Sequence, residues 1–307
     1  MRAVATRPQT QTAAVGTKFP RVATVLLNLC AEEDTAACIR SLQAGDYPAL
    51  EIVLVDNGSP DGSGERLREA FPEVAYLQTG ENLGFTGGNN RGIERALAEG
   101  CDYLLILNND TVVDPGCVAA LVETARSTAQ VGAVGGKILF YDAPERIWFG
   151  GGDFSRVRAL GMHRLEGQPD PDPAEQGVRE VSFLTGCCML IPAAVLREVG
   201  AFEEDFFIYV EDVEISLRIA ASGYRLLYQP AGRLYHRVPL EEPPIPPHKI
   251  VLRDRNRRRL VRRRYGRIDR LRFALFFYPS RLVRGAQYLL RGDRERAGAI
   301  WRGMTER

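Results

Sequence analysis

The stretch EIVLVDNGSPDGSG, residues 51–64, holds four consecutive apolar residues, Ile52 to Val55, closed by Asp56 and a run of turn formers. An apolar run without polar alternation reads as a strand buried on both faces, as in parallel sheets. The same texture recurs outward from it. Val22 to Leu29 comes before, and Tyr103 to Leu107 comes after, running into Asn108-Asn109-Asp110. Helical patterns lie between, over Asp34 to Ala44, Gly64 to Phe71, Gly88 to Glu99 and Pro115 to Thr128, with a short strand at Val74 to Leu77. This alternation predicts an α/β fold with a mostly parallel central sheet flanked by helices. Acidic residues at the carboxyl ends of such strands stand where open α/β sheets bind ligands.

Beyond Val131 the pattern is looser. Ala133 to Phe140 is strand-like, but Gly150-Gly151-Gly152 and QPDPDPAEQG (168–177) predict a loop on one face that runs to Arg179. Ser182 to Ile191 is apolar and small, and Ala193 to Val199 is a short helix. FEEDFFIYVEDVEISLRIAASGYRL, residues 202–226, places Glu211 and Asp212 after an aromatic loop, at the start of a helix to Ala221 that Gly223 caps. Leu226 to Gln229 and Arg233 to His236 read as closing strands, and EEPPIPP (241–247) as a linker.

With 307 residues, 45% of them hydrophobic, the chain has enough apolar material for one large core or two modest ones. The formal charge of +1 hides an asymmetry: residues 248–307 carry 19 Lys plus Arg against 5 Asp plus Glu. A basic end on an acidic body predicts an anionic surface as partner. The six cysteines show no metal spacing and read as reduced core residues. Residues 1–20 lack an apolar segment and read as a disordered lead, not a signal peptide, which predicts a cytoplasmic protein. FALFFYP, ended by Pro279, is too short to span a bilayer, so a membrane would be met from its inner face.

Four constellations carry chemistry. Asp56, with Asn57, Gly58 and Ser59, offers a carboxylate acceptor in a turn small enough for close ligand approach; an ordinary turn uses the same residues. ENLGFTGGNNRGIERAL places Gly87, Gly88, Asn89 and Asn90 before a helix with Arg91 beside them, an arrangement suited to a diphosphate and also to a plain loop. Asp110 in ILNNDTVVDPG supplies one carboxylate for a hard cation, and Asn108 only an amide oxygen. His236 follows a late short strand, where a lone histidine serves structure more often than ligation.

From Val22 to Val238 the chain resembles glycosyltransferase family 2, the inverting GT-A enzymes, in the branch that includes rhamnosyl- and galactofuranosyltransferases. The resemblance rests on VATVLLNLCAEED, EIVLVDNGSPDGS, ENLGFTGGNNRGI, LLILNNDTVVDP and FLTGCCMLIPAAVLREVGAFEEDFFIYVEDVEISLRIAASGYRLLYQPAGRLYHRV in that order. It implies a Rossmann-like GT-A domain over residues 21–240. It also implies a nucleotide site from Asn28, Asp56, Asn57, Gly87 to Arg91 and Asn109, with Asp56 against base and ribose. Asn108-Asn109-Asp110 stands at the DXD position, so Asp110, His236 and Asn108 would hold a divalent metal, Mn²⁺ or Mg²⁺. Asn108 departs from the first Asp of that motif. Asp212 falls at the catalytic base, with Glu211 beside it. Trp148, Thr185, Gly186, Phe207 and Tyr209 would face sugar or acceptor.

The expectation is an inverting transferase moving a sugar, rhamnose first, from a dTDP- or UDP-linked donor to a glycan or lipid-linked acceptor. The alternatives are a GT-A-like nucleotidyltransferase and a non-catalytic nucleotide-sugar-binding scaffold. Residues 248–307 read as basic amphipathic helices that meet an anionic membrane surface or pack on the catalytic domain. No nucleic acid is expected, since no recognised nucleic-acid fold accompanies the charge.

Overall fold

The computed structural model describes residues 19–171, 177–241 and 243–306. The expected disordered lead falls almost wholly outside these residues, as does part of the Pro-rich stretch 168–177. The first half alternates as its sequence predicts: β1 (Val22–Asn28), α1 (Glu32–Gln43), β2 (Leu50–Asp56), α2 (Ser63–Ala70), β3 (Ala75–Gln78), α3 (Gly84–Ala98) and β4 (Tyr103–Leu107). β1 lies parallel to both β2 and β4, and β2 to β3. The register sets Asn28 opposite Asp56, so both strands end at one sheet edge. Val22, Val25, Leu26, Val53, Leu54, Val55 and Leu104 to Leu107 are buried, which is why these strands carry no polar alternation.

The second half turns the sheet mixed. It comprises β5 (Thr111–Val113), α4 (Cys117–Ser127), β6 (Val131–Phe140), β7 (Ile147–Phe149), β8 (Gly152–Ser155), β9 (Leu160–His163), β10 (Arg179–Val181), β11 (Cys188–Pro192), α5 (Ala193–Val199), α6 (Glu211–Ala221) and β12 (Arg225–His236). β11 enters antiparallel between β4 and β6, giving the order β10-β12-β6-β11-β4-β1-β2-β3. The two expected closing strands are one, β12, with an irregularity between Gln229 and Arg233. Its last residue, His236, pairs with Thr111 of β5, and this register carries the late histidine to the turn that holds Asp110. The stretch expected as a loop contains the β8–β9 hairpin.

Three helices close the chain: α7 (Pro247–Arg264), α8 (Arg267–Leu290) and α9 (Arg294–Thr305). Pro247, expected as the end of the linker, is the first residue of α7, where its missing N–H costs nothing. Pro279, expected to end an apolar stretch, lies inside α8 on its exposed side. α7 buries Ile250, Leu260 and Val261, together with an Asp254–Arg257 ion pair at 2.9 Å whose guanidinium sits over Phe277 of α8. Arg264 ties α7 to Glu203 and Glu214 on the body. Among the described residues no helix is long and apolar enough to cross a membrane.

Candidate active site

Three cavities adjoin one another: the first lies at the carboxyl edge of β1, β2 and β4, the second borders it at the turn after β4, and the third borders the second. The innermost, about 250 Å³, is lined by Leu27, Asn57, Asn82, Gly84, Phe85, Phe207, Ile208 and Asn108 to Asp110. A larger one, about 770 Å³, shares Asn108, Asp110 and Ile208 with it and adds Trp148, Tyr209, His236, Ile245, Lys249 and Arg253. A third, about 590 Å³, shares Trp148, Tyr209 and Arg253 with the second and reaches Glu211 and Asp212. Asp110, His236 and Asp212 thus open onto one continuous groove.

Asp212 sits in the first turn of α6. Its carboxylate accepts N–H bonds from Val213 at 2.8 Å and Gly186 at 3.3 Å, which orient it. Burial nevertheless dominates and pushes its pKa up to about 6, so it stays a usable base near neutrality. Glu211 is held well above the usual carboxylate range by burial and by the Asp212 charge, and its Oε2 has no partner among the described residues. Ahead of the pair, Phe207, Tyr209 and Val210 all take positive φ, between 61° and 74°. Left-handed backbone at three non-glycine residues persists only where the surroundings over-determine it. Here they do: the Asn256 side-chain amide donates to the carbonyls of Phe206, Ile208 and Tyr209 at 2.7–2.9 Å.

Asp110 Oδ1 stands 3.0 Å from His236 Nε2, and Trp148 packs edge-on against that imidazole at 4.5 Å. His236 is 4% exposed and its Nδ1 has no partner among the described residues, so the ring's one polar engagement is toward Asp110. Among the described residues no group of three or more His, Cys, Asp or Glu forms a metal cluster. One imidazole nitrogen, one carboxylate and the Asn108 amide nonetheless suit a cation that completes its shell with phosphate oxygens and water. The donor set fits a divalent metal carried in with a diphosphate.

Other expected residues sit elsewhere. Gly87, Gly88, Asn89 and Asn90 are not in a loop before α3 but inside it, since the helix starts at Gly84. A side chain at Gly88 would come within 2.4 Å of Leu27, so the glycine serves helix–strand packing. Asn90 holds the Phe202 carbonyl, Asn89 that of Phe85, and Arg91 pairs on the surface with Glu94. These five residues line none of the three cavities. Asp56 is fully buried and takes bonds from Asn28, Ser59 and Gln78, while Asn28 is bound to Asp56, Ser63 and Thr35. Both support the cavity wall from behind, and Asn57 is the strand-end residue that lines it. Asn109 lines the cavity and donates to Thr35. Thr185 is buried and its hydroxyl accepts from the Cys187 N–H, so it shapes the turn beneath Asp212 without lining the groove. Asn82, Gly84 and Phe85 line the inner cavity and were not singled out from sequence, although Gly84, at φ +72, marks the true helix start. Lys249, Arg253 and Asn256 were also missed, since in a basic tail they look like surface charge.

A family description, glycosyl transferase family 2, matches residues 24–200. An N-acetylglucosaminyl-diphospho-decaprenol L-rhamnosyltransferase of Mycobacterium tuberculosis is 28% identical over 217 residues, 64% of this chain and 70% of that protein. An O-antigen biosynthesis protein of Myxococcus xanthus is 32% identical over 62% of this chain and 15% of its own length. Among solved structures, GalNAc-T7 with UDP, GalNAc and Mn²⁺ superposes with a TM-score of 0.64 at 19% identity, over 80% of this chain and 48% of its own. The mannosyltransferase PcManGT from Pyrobaculum calidifontis, solved with GDP-Man and Mn²⁺, gives 0.57 at 17% identity, over 94% of this chain and 86% of that one. Both likenesses concern the fold, a GT-A sheet flanked by helices. Because the match to the family covers more than half of its length, this chain belongs to glycosyl transferase family 2.

Proposed function

We propose that the chain transfers a sugar, rhamnose first, from a dTDP- or UDP-linked donor to a lipid-linked glycan acceptor, with inversion at the anomeric carbon. One observation carries this reading: the oriented Asp212 carboxylate with its raised pKa opens onto the groove that also holds Asp110 and His236. Rhamnose and a polyprenyl diphosphate acceptor are what the name of the M. tuberculosis relative describes.

In this reading the nucleotide occupies the inner cavity beside Asn57 and Asn82, with Phe207 over the N-terminus of α3. Asp110 and His236, with Asn108, would hold Mn²⁺ or Mg²⁺ against the donor diphosphate, and such an ion offsets the charge that builds on the leaving group. Asp212 takes the proton from the acceptor hydroxyl as its oxygen bonds to the anomeric carbon. The bond from that carbon to the diphosphate oxygen breaks on the opposite face, releasing a nucleoside diphosphate. Glu211, its pKa pushed up by burial and the Asp212 charge, shapes the acceptor side. Trp148 and Tyr209 offer ring surface to the acceptor sugar.

The exposed face of α8 supports work at an anionic membrane. Ile268, Leu271, Leu275, Leu282, Leu289 and Leu290 are each at least 57% exposed and fall on one side of the helix. Such a patch on a soluble surface marks an interaction site. Arg267, Arg272, Arg284 and Arg291 are exposed on the same helix and at its end. A second copy of α8 would bring the same arginines against them, whereas anionic lipid complements both parts.

Calorimetric titration with UDP, dTDP, GDP and their sugar conjugates, with Mn²⁺ and again with chelator, tests the donor assignment. Metal-dependent binding of one sugar conjugate, followed by release of a nucleoside diphosphate on adding acceptor, is the expected result. Absence of binding to all of them by folded protein would sink it, and release of inorganic diphosphate from a nucleoside triphosphate would point to a nucleotidyltransferase.

A further inference from the structure

α7 carries eight arginines, and seven of them are engaged by protein groups. Arg257 pairs with Asp254, Arg263 and Arg264 with Glu203, and Arg258 and Arg259 reach backbone carbonyls of Glu306 and Asp205. Arg253 differs. Among the described residues it makes no hydrogen bond and no ion pair, and its Nε is buried without a partner. A guanidinium nitrogen withdrawn from water and left unpaired is costly to keep unless something else completes it.

Its location indicates what does. Arg253 lines both outer cavities and stands in the wall shared by the one that holds Asp110 and His236 and the one that holds Asp212. Lys249, one helical turn earlier and also without a bond among the described residues, lines the larger of the two. Around them that cavity is apolar: Val238, Pro239, Leu240, Pro243, Ile245 and Pro246. Two cations beside a proline- and aliphatic-rich wall match a phosphate group joined to a hydrocarbon chain, because a planar guanidinium binds phosphate oxygens through two N–H groups. Asp110 and Glu166 also lie on this lining, but Asp110 is engaged by His236.

We infer that Arg253, assisted by Lys249, is the acceptor-recognition element of this transferase and holds the phosphate or diphosphate that links the acceptor sugar to its prenyl chain. The inference rests on the proposed transfer to a lipid-linked acceptor and names the residue that selects it. Arg253 positions the acceptor so that its sugar hydroxyl reaches Asp212.

The test uses the full chain and farnesyl diphosphate, farnesol and inorganic diphosphate as probes, titrated in chelator so that no metal can hold a diphosphate at Asp110. Wild-type protein should bind farnesyl diphosphate in preference to both other probes. Arg253→Gln should weaken that binding about tenfold, and Arg253→Lys by less, since the charge stays but the fork is lost. Mn²⁺-dependent binding of a nucleoside diphosphate should be the same in all three proteins, which also reports that the variants are folded. Equal binding of farnesyl diphosphate and farnesol, equal binding of farnesyl diphosphate and inorganic diphosphate, or no effect of Arg253→Gln overturns the inference. Failure of the wild type to bind any nucleoside diphosphate counts instead against the donor assignment.

Discussion

The Asn256 side-chain amide donates to the Tyr209 carbonyl at 2.9 Å, linking the basic helix α7 to the loop that delivers Asp212. The same amide also serves Phe206 and Ile208, and Asn256 is fully buried. Asn256→Ala leaves these carbonyls short of a donor and should cost about 2–3 kcal/mol of stability. Because Tyr209 and Val210 need support to hold positive φ, kcat/KM should fall at least ~10-fold. Thermal unfolding and steady-state rates check both. Loss of stability with unchanged kcat/KM would show that the loop holds itself.

As the proposed base, Asp212 should set the acid side of the pH profile. Only its ionised form accepts a proton, so kcat/KM should rise with pH through about 6 and flatten above it. The sign for stability is opposite. A carboxyl raised by folding from 3.8 favours the protonated state, so its contribution is fully present below that value and is lost as pH rises through about 6. Asp212→Asn should therefore be inactive yet melt higher than wild type at pH 8, with little difference at pH 4. A variant that melts lower at pH 8 would contradict the assigned shift.

At the proposed metal position Asp110 supplies one carboxylate, beside the Asn108 amide. Asp110→Asn and His236→Ala should each weaken Mn²⁺-dependent binding of UDP or dTDP by about 10- to 100-fold, as loss of one donor or its support does. Asn108→Asp supplies a second carboxylate and should tighten Mn²⁺ about tenfold. Calorimetry with and without chelator reads all three. Nucleotide binding that ignores both metal and these substitutions would remove Asp110 and His236 from the site.

The parallel half of the sheet was legible because its strands are buried on both faces, so Val22–Asn28, Leu50–Asp56 and Tyr103–Leu107 announce themselves as unbroken apolar runs. The carboxylate pair proposed for catalysis could be placed for a similar reason, since Glu211 and Asp212 sit in a helix whose periodicity and Gly223 cap are local signals. The glycines of GFTGGNNRG misled, because glycine marks both a phosphate-binding turn and a helix pressed against a strand. The 2.4 Å that a Cβ at Gly88 or Gly92 would leave to Leu27 or Val25 is a tertiary fact. Arg253 and Asn256 were hidden likewise. Nothing local separates a solvated arginine in RDRNRRRLVRRR from one turned into a cavity.

The exposed stripe of α8 predicts how the protein partitions. Leu275 and Leu282 are 69% and 57% exposed two turns apart, near the middle of a 24-residue helix with arginines at both ends. Laid on a bilayer, their side chains would enter the headgroup boundary while Arg267 and Arg291 meet lipid phosphates. Sedimentation with vesicles of phosphatidylglycerol should carry the protein down, and phosphatidylcholine vesicles should do so weakly. The doubly substituted Leu275→Glu, Leu282→Glu protein should bind at least ~100-fold less, since each leucine withdrawn from the boundary forfeits about 1.5 kcal/mol or more and each glutamate is repelled by anionic lipid. Added salt should weaken the wild type by screening the arginines but leave the apolar part. Unaltered vesicle binding by the double variant would move the contact off α8. A wild-type dimer in solution that this variant splits, without vesicle binding, would assign the face to a second copy of the chain instead.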